Sequence, residues 1–419
     1  MLLKNKKILL GVTGSIAAYK ACEVARLFIK AGADVQVVMS EAAARFVSPL
    51  TFEALTRNPV LCEESESWAN NLNHIEISKD CDLFLIAPAT ANTINKLSKG
   101  IADNILLQSA LAFTKPIAIA PSANTNMLNN HQTKNSLKML AVSDITIIEP
   151  QEKLLACGDV GAGALADPQE IFWECAKILL KDSFWTDRRV VVTGGGTIEK
   201  IDDVRYISNF SSGKMANAIS TALYLKGADV CLITTRDTKE LPGNVYTINV
   251  QSADEMLGFS EDALRVARKG VKSKPSLNNP DAIGMIQKEP FLFMVAAVAD
   301  YTPLYPQSGK IKKSMVGEKW DIELKQNPDI LKTINKSGIK TVAFKAEMDS
   351  DNGLTNAVNL LEDKGTDAVC YNLLSDTNNF GSDDNEIIWI TPNEQTKIEK
   401  QDKLSLAFKI LENATKLCV

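Results

Sequence analysis

Histidine is almost absent from this sequence, and its cysteines lack any metal-binding spacing. The 419 residues contain two histidines and eight cysteines, and no Cys-x-x-Cys pair occurs. These absences argue against a structural zinc site and against a disulfide framework, and they predict a reducing, cytoplasmic environment. A signal peptide is not expected either, because lysines interrupt the short apolar run at the amino terminus.

Two further absences narrow the class of partner. The charge is nearly balanced, with 46 basic and 51 acidic residues, so no broad basic surface is available for nucleic acid or for an anionic membrane. No segment reaches the roughly 18 unbroken apolar residues of a membrane-spanning helix. The length predicts two domains, and a hydrophobic content of 45% is enough for two cores. Small-molecule substrates are therefore expected, with neither nucleic acid nor membrane as a partner.

The same pattern of a strand, a glycine turn and a helix occurs twice in the chain. The first copy begins with "KKILLGVTGSIAAYK" and is followed by "KAGADVQVVMS". The second copy begins with "RVVVTGGG" at Arg189 and is followed by the similar stretch "LKGADVCLITT". Such βαβ units require parallel sheets that are covered on both faces. We predict an α/β fold of two tandem Rossmann-like domains with open parallel sheets. They comprise residues 1–182, which are flavodoxin-like, and residues 183–419.

Local signals predict the turns and connections. Thr13-Gly14-Ser15 is expected to form the first turn and to cap the helix that follows. The charged stretch "LLKDSFWTDRR" is the expected linker. Residues 266–288 are basic, weakly periodic and carry proline and asparagine, so we expect an insertion or a mobile loop there.

Polar or small residues follow each strand of the first half, at the sheet edge where open parallel sheets bind ligands. Free N–H groups and the positive helix end at the first turn favour a phosphate. The turn lacks the G-x-G-x-x-G spacing of dinucleotide sites. A turn of this kind is a plain structural connection about as often as it is a phosphate-binding site. Three further polar clusters at the same edge raise the expectation of a mononucleotide such as FMN.

Two side chains of the first half are suited to proton transfer. His74 could act as a general base or contact a flavin, although a lone histidine is more often a hydrogen-bonded surface residue. Cys157 lies in the glycine-rich stretch "ACGDVGAG". A free thiol has a pKa of about 8.5, so it is protonated at neutral pH and can donate a proton to a carbanion-like intermediate.

The stretch "DDVRYISNFSSGKM" of the second half concentrates hydrogen-bond donors before a helix. Arg205 supplies charge, and the serines and glycine expose hydroxyl and N–H donors to phosphate oxygens. Asp300 ends an apolar strand, where a carboxylate can hold a metal or a sugar hydroxyl. The basic run at Lys310 is either a solvated charge run or, near a triphosphate, a charge clamp.

Together these segments resemble the bifunctional phosphopantothenoylcysteine decarboxylase and phosphopantothenate–cysteine ligase family of coenzyme A biosynthesis. In the first half the resemblance rests on "GVTGSIAAYK", "HIEIS", "APATANT", "PSANTNM" and "ACGDVGAG". In the second half it rests on "DDVRYISNFSSGKM", "AAVADY", "KIKK", "NPDI" and "AFKAE". The resemblance implies that the two copies of the strand, glycine turn and helix pattern begin two enzymes, which catalyse consecutive steps.

In the first half the resemblance implies a flavin-dependent decarboxylase. His74 would lie beside the flavin, Asn124 would grip the substrate carboxylate, and Cys157 would reprotonate the product. The implied mechanism oxidises the substrate thiol to a thioaldehyde, which accepts the electrons left by departing CO₂. The FMN would be held by Gly14, Ser15, Ser40, Pro88, Thr90 and Asn92.

In the second half the resemblance implies CTP as the activating nucleotide and an acyl-cytidylate that the cysteine amine attacks. Asn209 would stabilise that intermediate, Arg205 would support its loop, and Lys310 would act in catalysis. Magnesium would screen the triphosphate, with Asp300 as a candidate ligand. The nucleotide would be surrounded by Ser212, Asp300, Lys310, Pro328, Asp329, Ile330, Phe344 and Lys364.

The sequence departs from the family pattern at several points, among them Ala123, where the family's Pro-x-Met-Asn has methionine, and a longer 266–288 segment. Ala164 replaces an arginine of the flap that covers the substrate, and Leu360 replaces a lysine one helical turn before Lys364. The implied substrates are 4'-phosphopantothenate, cysteine and CTP, and the implied assembly is a homo-oligomer with trimeric flavin domains and dimeric ligase domains. Two other functions stay open, namely another flavin or nicotinamide reaction and a non-catalytic binding protein that kept the flavin fold.

Overall fold

The chain folds into two compact units. The first comprises Met1–Leu180 with Ser273–Gly284, and the second comprises Lys181–Lys272 with Met285–Val419. This computed structural model describes residues 1–154, 160–273, 275–277, 280, 284–349, 351–374 and 381–418. Within these ranges no helix combines the length and the apolar composition that a bilayer crossing needs.

A six-stranded parallel sheet forms the centre of the first unit. Its strands are β1 Lys7–Val12, β2 Asp34–Met39, β3 Val60–Leu61, β4 Leu83–Ala89, β5 Ile117–Pro121 and β6 Thr146–Ile147. They lie in the order β3-β2-β1-β4-β5-β6. Apart from the two-residue edge strand β3, this is the strand order of flavodoxin-like folds, so the predicted class of this unit is confirmed. A separate antiparallel hairpin follows, β7 Gln151–Leu154 and β8 Val160–Ala164.

Burial explains why these segments became strands and helices. In β1 every residue except Lys7 is buried, as expected for a parallel strand covered on both faces. The first helix has an apolar face at helical spacing, and its residues Ala21, Val24, Ala25 and Phe28 are all buried. The helices of this unit are α1 Ala18–Lys30, α2 Glu41–Ala44, α3 Pro49–Thr56, α4 Glu76–Lys79, α5 Ala91–Leu97, α6 Ile105–Ala112, α7 Thr125–Asn129, α8 His131–Val142 and α9 Pro168–Leu180.

The predicted cap of α1 is wrong. The N-cap residue is Ala17, and no side chain caps this helix. Strand β1 ends at Val12, so residues 13–17 form a complete turn before the helix begins. Within that turn Ser15 Oγ accepts a hydrogen bond from Ala17 N at 3.2 Å, which is a local serine turn rather than a helix cap.

A mixed eight-stranded sheet forms the centre of the second unit. Its strands are β9 Arg189–Gly194, β12 Asp229–Thr234, β13 Tyr246–Asn249, β16 Phe291–Met294, β19 Lys340–Glu347, β20 Ala368–Leu373, β21 Asp384–Ile390 and β22 Gln395–Asp402. The order is β13-β12-β9-β16-β19-β20-β21-β22. The first six are parallel, whereas β21 and β22 pair antiparallel. The expected wholly parallel sheet is therefore corrected at this edge, because a four-residue turn at 391–394 joins β21 to β22 where a parallel pair would need a crossover.

Short hairpins and helices complete the second unit. The small strands are β10 Glu199–Lys200, β11 Tyr206–Ile207, β14 Val271–Lys272, β15 Met285–Ile286, β17 Tyr301–Pro303 and β18 Leu324–Gln326. The helices are α10 Lys214–Leu225, α11 Ala253–Ala267, α12 Lys313–Val316, α13 Ile330–Thr333, α14 Gly353–Lys364 and α15 Lys403–Thr415, followed by a 3₁₀ turn at Lys416–Cys418.

The segment 266–288 is partly regular rather than a plain loop. Helix α11 extends to Ala267, and β14 pairs with β15 in an antiparallel ladder. Residues 274, 278–279 and 281–283 of this predicted insertion lie outside the described residues.

Candidate active sites

A cavity of about 1040 Å³ lies at the edge of the first sheet, where the strands end. The segments that follow β1, β2, β4 and β5 supply most of its lining, as expected for an open parallel sheet. Five of the six predicted flavin residues line it, together with the predicted carboxylate-binding asparagine. These lining residues are Gly14, Ser15, Ser40, Thr90, Asn92 and Asn124.

Pro88, the sixth predicted flavin residue, is not part of this lining. Its carbonyl oxygen accepts a hydrogen bond from Thr13 Oγ1 at 2.6 Å, and Thr13 Oγ1 accepts one from Thr90 N at 3.1 Å. The buried Thr13 side chain thus ties the end of β1 to the end of β4. Sequence reasoning missed this role, although a threonine between a buried strand and a glycine is a signal for it.

The cavity holds hydroxyl groups that have few protein partners. Ser40 Oγ is buried and has no hydrogen-bond partner among the described residues. Ser15 Oγ lies 3.3 Å from Ser122 Oγ. A Cβ at Gly14 would lie 2.5 Å from Ala42 Cβ, so only glycine fits this turn. Buried hydroxyls beside a tight glycine turn form a neutral donor set of the kind that binds a phosphate, and the residues present therefore fit FMN.

Charged residues also line the cavity, and the sequence analysis missed them. Lys96 Nζ forms an ion pair with Asp103 Oδ2 at 2.6 Å. Glu63 Oε1 accepts a hydrogen bond from Ile105 N, the first amide of α6, at 2.8 Å. The spacing of Lys96, Asp103 and Glu63 in the sequence matches no motif. Only their positions after the strand ends could have indicated that they line the cavity.

The structure does not place His74 in the lining of this cavity. His74 Nδ1 lies 2.9 Å from Glu66 Oε1, and its ring meets Trp68 edge to face with centroids 5.6 Å apart. It is therefore a hydrogen-bonded, half-buried histidine, which is the interpretation that the residue alone favoured. Its contact with a flavin stays a prediction. Cys157 lies outside the described residues.

In the second unit the loop before α10 meets the segment after β16. Asn209 Nδ2 donates a hydrogen bond to Val298 O at 2.8 Å. Helix α10 begins after Gly213, whose φ of 75° favours glycine, and the Lys214 amide lies 3.4 Å from Ser212 Oγ. Asn209, which is predicted to stabilise the acyl-cytidylate, is thereby held beside the segment that follows a central strand.

Asn327 links two further parts of the predicted nucleotide site. Its amide N–H donates to Asp300 O, and its Nδ2 donates to Ala299 O, each at 2.8 Å. The segment Pro328–Ile330 therefore begins beside Asp300. Asn327 is the first residue of the "NPDI" motif and is buried, and its role in positioning the three residues that follow was not predicted.

Asp329 and Lys364 form an ion pair, so the structure brings these two predicted residues together. Asp329 Oδ1 also accepts a hydrogen bond from Lys332 N at 3.1 Å and thereby caps α13. Phe344 lies half-buried in β19, which neighbours β16 in the sheet. The structure thus pairs Asp329 with Lys364 and places Phe344 in the strand next to β16.

Arg205 is held by Asp202, which the sequence analysis did not single out. Arg205 Nε donates to Asp202 Oδ2 at 3.0 Å, and Arg205 Nη2 donates to the same oxygen and to Ile311 O, the latter at 2.9 Å. This guanidinium holds the pKa of Asp202 well below its usual range. The spacing of three residues between the carboxylate and the guanidinium was the available signal. Lys310, next to Ile311, is exposed.

Comparison with known proteins identifies the two units. Residues 2–179 match the family Flavoprotein, and residues 185–274 and 262–417 match the DNA/pantothenate metabolism flavoprotein C-terminal domain. The coenzyme A biosynthesis bifunctional protein CoaBC of Vibrio parahaemolyticus is 35% identical over 420 residues, which cover 99% of each chain. The CoaBC of Haemophilus influenzae is 37% identical over 411 residues, covering 97% of this chain and 96% of that protein.

The chain belongs to the CoaBC family of bifunctional coenzyme A biosynthesis proteins. The predicted family is thereby confirmed, and with it the prediction of a bifunctional enzyme. Solved structures similar to single units of this CoaBC member include a mutant PPC decarboxylase complexed with pantothenoylaminoethenethiol, at 32% identity and a TM-score of 0.38, covering 41% of this chain and 97% of that one. Another is the C-terminal domain of a CoaBC, at 28% identity and a TM-score of 0.42, covering 56% and 98%.

Proposed function

We propose that the second unit joins 4'-phosphopantothenate to cysteine with CTP, and that the first unit decarboxylates the resulting 4'-phosphopantothenoylcysteine to 4'-phosphopantetheine with FMN. The observation that supports this most is similarity to CoaBC proteins over nearly the whole chain. The division of work follows the predicted borders, residues 1–182 for decarboxylation and residues 183–419 for ligation.

The cavity of the first unit supports the decarboxylase half. Bound FMN would supply a two-electron acceptor. Without one, the substrate has no group that can accept the electrons left by the departing CO₂. Ser15 and Ser40 would donate hydrogen bonds to its phosphate at the glycine turn. Asn124 Oδ1 already accepts a hydrogen bond from Asn126 N at 2.9 Å, which orients this amide for the substrate carboxylate. Cys157 would return a proton to the product, and His74 would act beside the flavin.

In the ligase half the substrate carboxylate would attack the α-phosphorus of CTP and displace pyrophosphate. The cysteine amine would then attack the acyl carbon, form the amide and displace CMP. Asn209, fixed through Val298 O, would stabilise the acyl-cytidylate, and Lys310 would face the phosphates. The remaining nucleotide contacts would come from Ser212, Asp300, Pro328, Asp329, Ile330, Phe344 and Lys364.

Magnesium, assembly and location belong to the proposal as well. Within the described ranges no cluster of three or more metal-ligating side chains occurs, so the triphosphate would supply most ligands and Asp300 at most one. We expect a homo-oligomer with trimeric flavin units and dimeric ligase units, acting in the cytoplasm.

One assay tests both halves. The purified protein would be incubated with 4'-phosphopantothenate, cysteine, CTP and magnesium, and the products would be followed by mass spectrometry. The expected products are 4'-phosphopantetheine, CO₂, CMP and pyrophosphate. Bound flavin without nucleotide turnover would favour a non-catalytic flavin-binding protein instead. Replacing CTP by ATP in a parallel series measures the nucleotide preference, which Leu360 makes informative.

A further inference from the structure

Two adjacent carboxylates hold the backbone on both sides of Lys310. Ile311 N donates a hydrogen bond to Asp202 Oδ2 at 3.2 Å, and Gly309 N donates one to Asp203 Oδ2 at 2.5 Å. The main chain reinforces both contacts, because Gln307 N donates to Ile201 O at 3.0 Å. The segment that carries Lys310 therefore lies along residues 201–203, more than 100 positions earlier in the chain.

Asp202 is the more constrained of the two carboxylates. Its side chain is fully buried. Oδ1 accepts hydrogen bonds from Val204 N at 2.8 Å and from Arg205 N at 2.7 Å, while Oδ2 receives Arg205 and Ile311. A buried carboxylate with this many donors has a fixed orientation.

Arg205 fastens the same segment from its other side. Its Nη2 donates to Ile311 O at 2.9 Å, so the two backbone polar groups of Ile311 are both held. The guanidinium carbon lies 4.4 Å from the ring centroid of Trp320, which covers the face of the cation. The segment is therefore held at Gly309 and Ile311, and Trp320 packs on the guanidinium that binds Ile311.

The side chain of Lys310 differs from these neighbours. It is exposed, and its ammonium has no hydrogen bond or ion pair with any other residue that the structure describes. Its backbone is thus fixed while its charge is unpaired, an arrangement suited to an anion that comes from solution.

We propose that Asp202 and Asp203 are positioning residues of the ligase reaction, which hold Gly309 and Ile311 so that Lys310 faces the phosphates of the nucleotide. The inference rests on the proposed ligase function of the second unit. Neither carboxylate touches the nucleotide in this account, and both act through Lys310. Arg205, which packs against Trp320, holds Asp202 and Ile311 in place relative to each other.

The test uses Asp203, because it is exposed and its replacement leaves the buried Asp202 network intact. In the full-length protein, Asp203→Ala should lower kcat/KM for CTP about tenfold, as expected when a hydrogen bond to a charged acceptor is lost. Asp203→Asn should restore most of the rate, since its amide oxygen can still accept from Gly309 N. Asp321→Ala is the matched control, because Asp321 is exposed and makes no such bond to the described residues.

A double-mutant cycle separates positioning from a general structural effect. If Asp203 acts through Lys310, then Asp203→Ala should change the rate less than about twofold in a Lys310→Gln background. Losses that simply multiply would overturn the proposal.

Hydrogen–deuterium exchange of residues 307–311 needs no turnover. It should be faster in Asp203→Ala than in Asp203→Asn, and equal exchange in the two variants would also overturn the proposal. A wild-type protein that leaves CTP untouched, with this exchange difference present, would instead contradict the ligase function.

Discussion

The edges of the two central sheets differ in how their polar groups are satisfied. At the edge of the first sheet, the glycine turn and the hydroxyls after the strands are uncharged, and Ser40 Oγ has no partner among the described residues. At the edge of the second sheet, three cations of the described residues are paired with carboxylates, whereas the exposed Lys310 is not. Arg205 binds Asp202, Lys214 Nζ lies 2.6 Å from Asp383 Oδ1, and Lys364 binds Asp329.

This difference has a physical consequence for anion binding. A phosphate can enter a neutral donor set without displacing another anion, whereas a paired lysine must leave its carboxylate before it can face a triphosphate. The first arrangement suits a cofactor that stays bound. The second suits a nucleotide that enters and leaves in each turnover, because Arg205, Lys214 and Lys364 keep a carboxylate partner when the nucleotide is absent.

The largest expected effect would separate the two edges completely. Asn209→Asp should lower ligation by about 10²–10³-fold, since it removes a donor and adds a negative charge beside an anionic intermediate.

Cys157→Ser should spare ligation and stall decarboxylation at an oxidised intermediate. Mass spectrometry of both products checks this, and normal 4'-phosphopantetheine formation by Cys157→Ser would refute the proton-donor role.

The next prediction concerns the preformed turn of the first unit. Gly14→Ala should destabilise this unit by about 1–3 kcal/mol and lower its FMN content, because the added Cβ would lie 2.5 Å from Ala42 Cβ. Thermal unfolding and the flavin absorbance at saturating FMN measure the two effects. The control is Gly258→Ala in helix α11, where a Cβ meets nothing within 4 Å. It should stabilise the second unit by roughly 0.5–1 kcal/mol, and equal flavin loss in both variants would count against a preformed turn.

A change in ionic strength should have a smaller effect, and this effect should differ between the two sheet edges. Raising the ionic strength from about 0.05 to 0.5 M shortens the Debye length and should raise the KM for CTP several-fold. The fraction of bound FMN should change little over the same range, because the turn and its hydroxyls carry no net charge. Parallel titrations of CTP turnover and of flavin absorbance test this. A flavin loss as steep as the rise in KM would erase the proposed difference.

The smallest expected effect is on thiol chemistry in the two cores. Burial raises the pKa of Cys81 from 9.0 to about 12 and that of Cys231 to about 11. At pH 8, which is below both pKa values, the thiolate fraction of Cys81 should therefore be about a thousandfold lower than that of an ordinary thiol. Exposed Cys418 should react with a maleimide before Cys81 and Cys231, and peptide mapping would show it. Rapid labelling of Cys81 in the native protein would contradict the burial of this core.

Much of the fold could be predicted because its signals are local. The apolar run of β1 and the apolar face of α1 depend only on neighbouring residues, and both are buried in the structure. The antiparallel pairing of β21 and β22 was not predicted, since an alternating or apolar strand does not reveal the direction of its neighbour. The cap of α1 was missed because a serine beside a glycine can form a turn of its own.

The candidate sites were predictable only in part. The predicted flavin residues Gly14, Ser15, Ser40, Thr90 and Asn92 line the first cavity, and their contacts with FMN stay a prediction. The pattern could not show that His74 pairs with Glu66, away from the cavity lining, because a short motif carries no information about side-chain direction.

The sequence by itself determined that this protein has two nucleotide-type units, which family they belong to and which polar segments end their strands. Hydrophobic runs and glycine turns act over a few residues, so they can be read without coordinates. Only the tertiary structure decided which charges pair. The contact of Arg205 with Ile311 and that of Lys214 with Asp383 join residues 106 and 169 positions apart. Such contacts depend on the path of the whole chain, because sheet order brings distant loops to one edge.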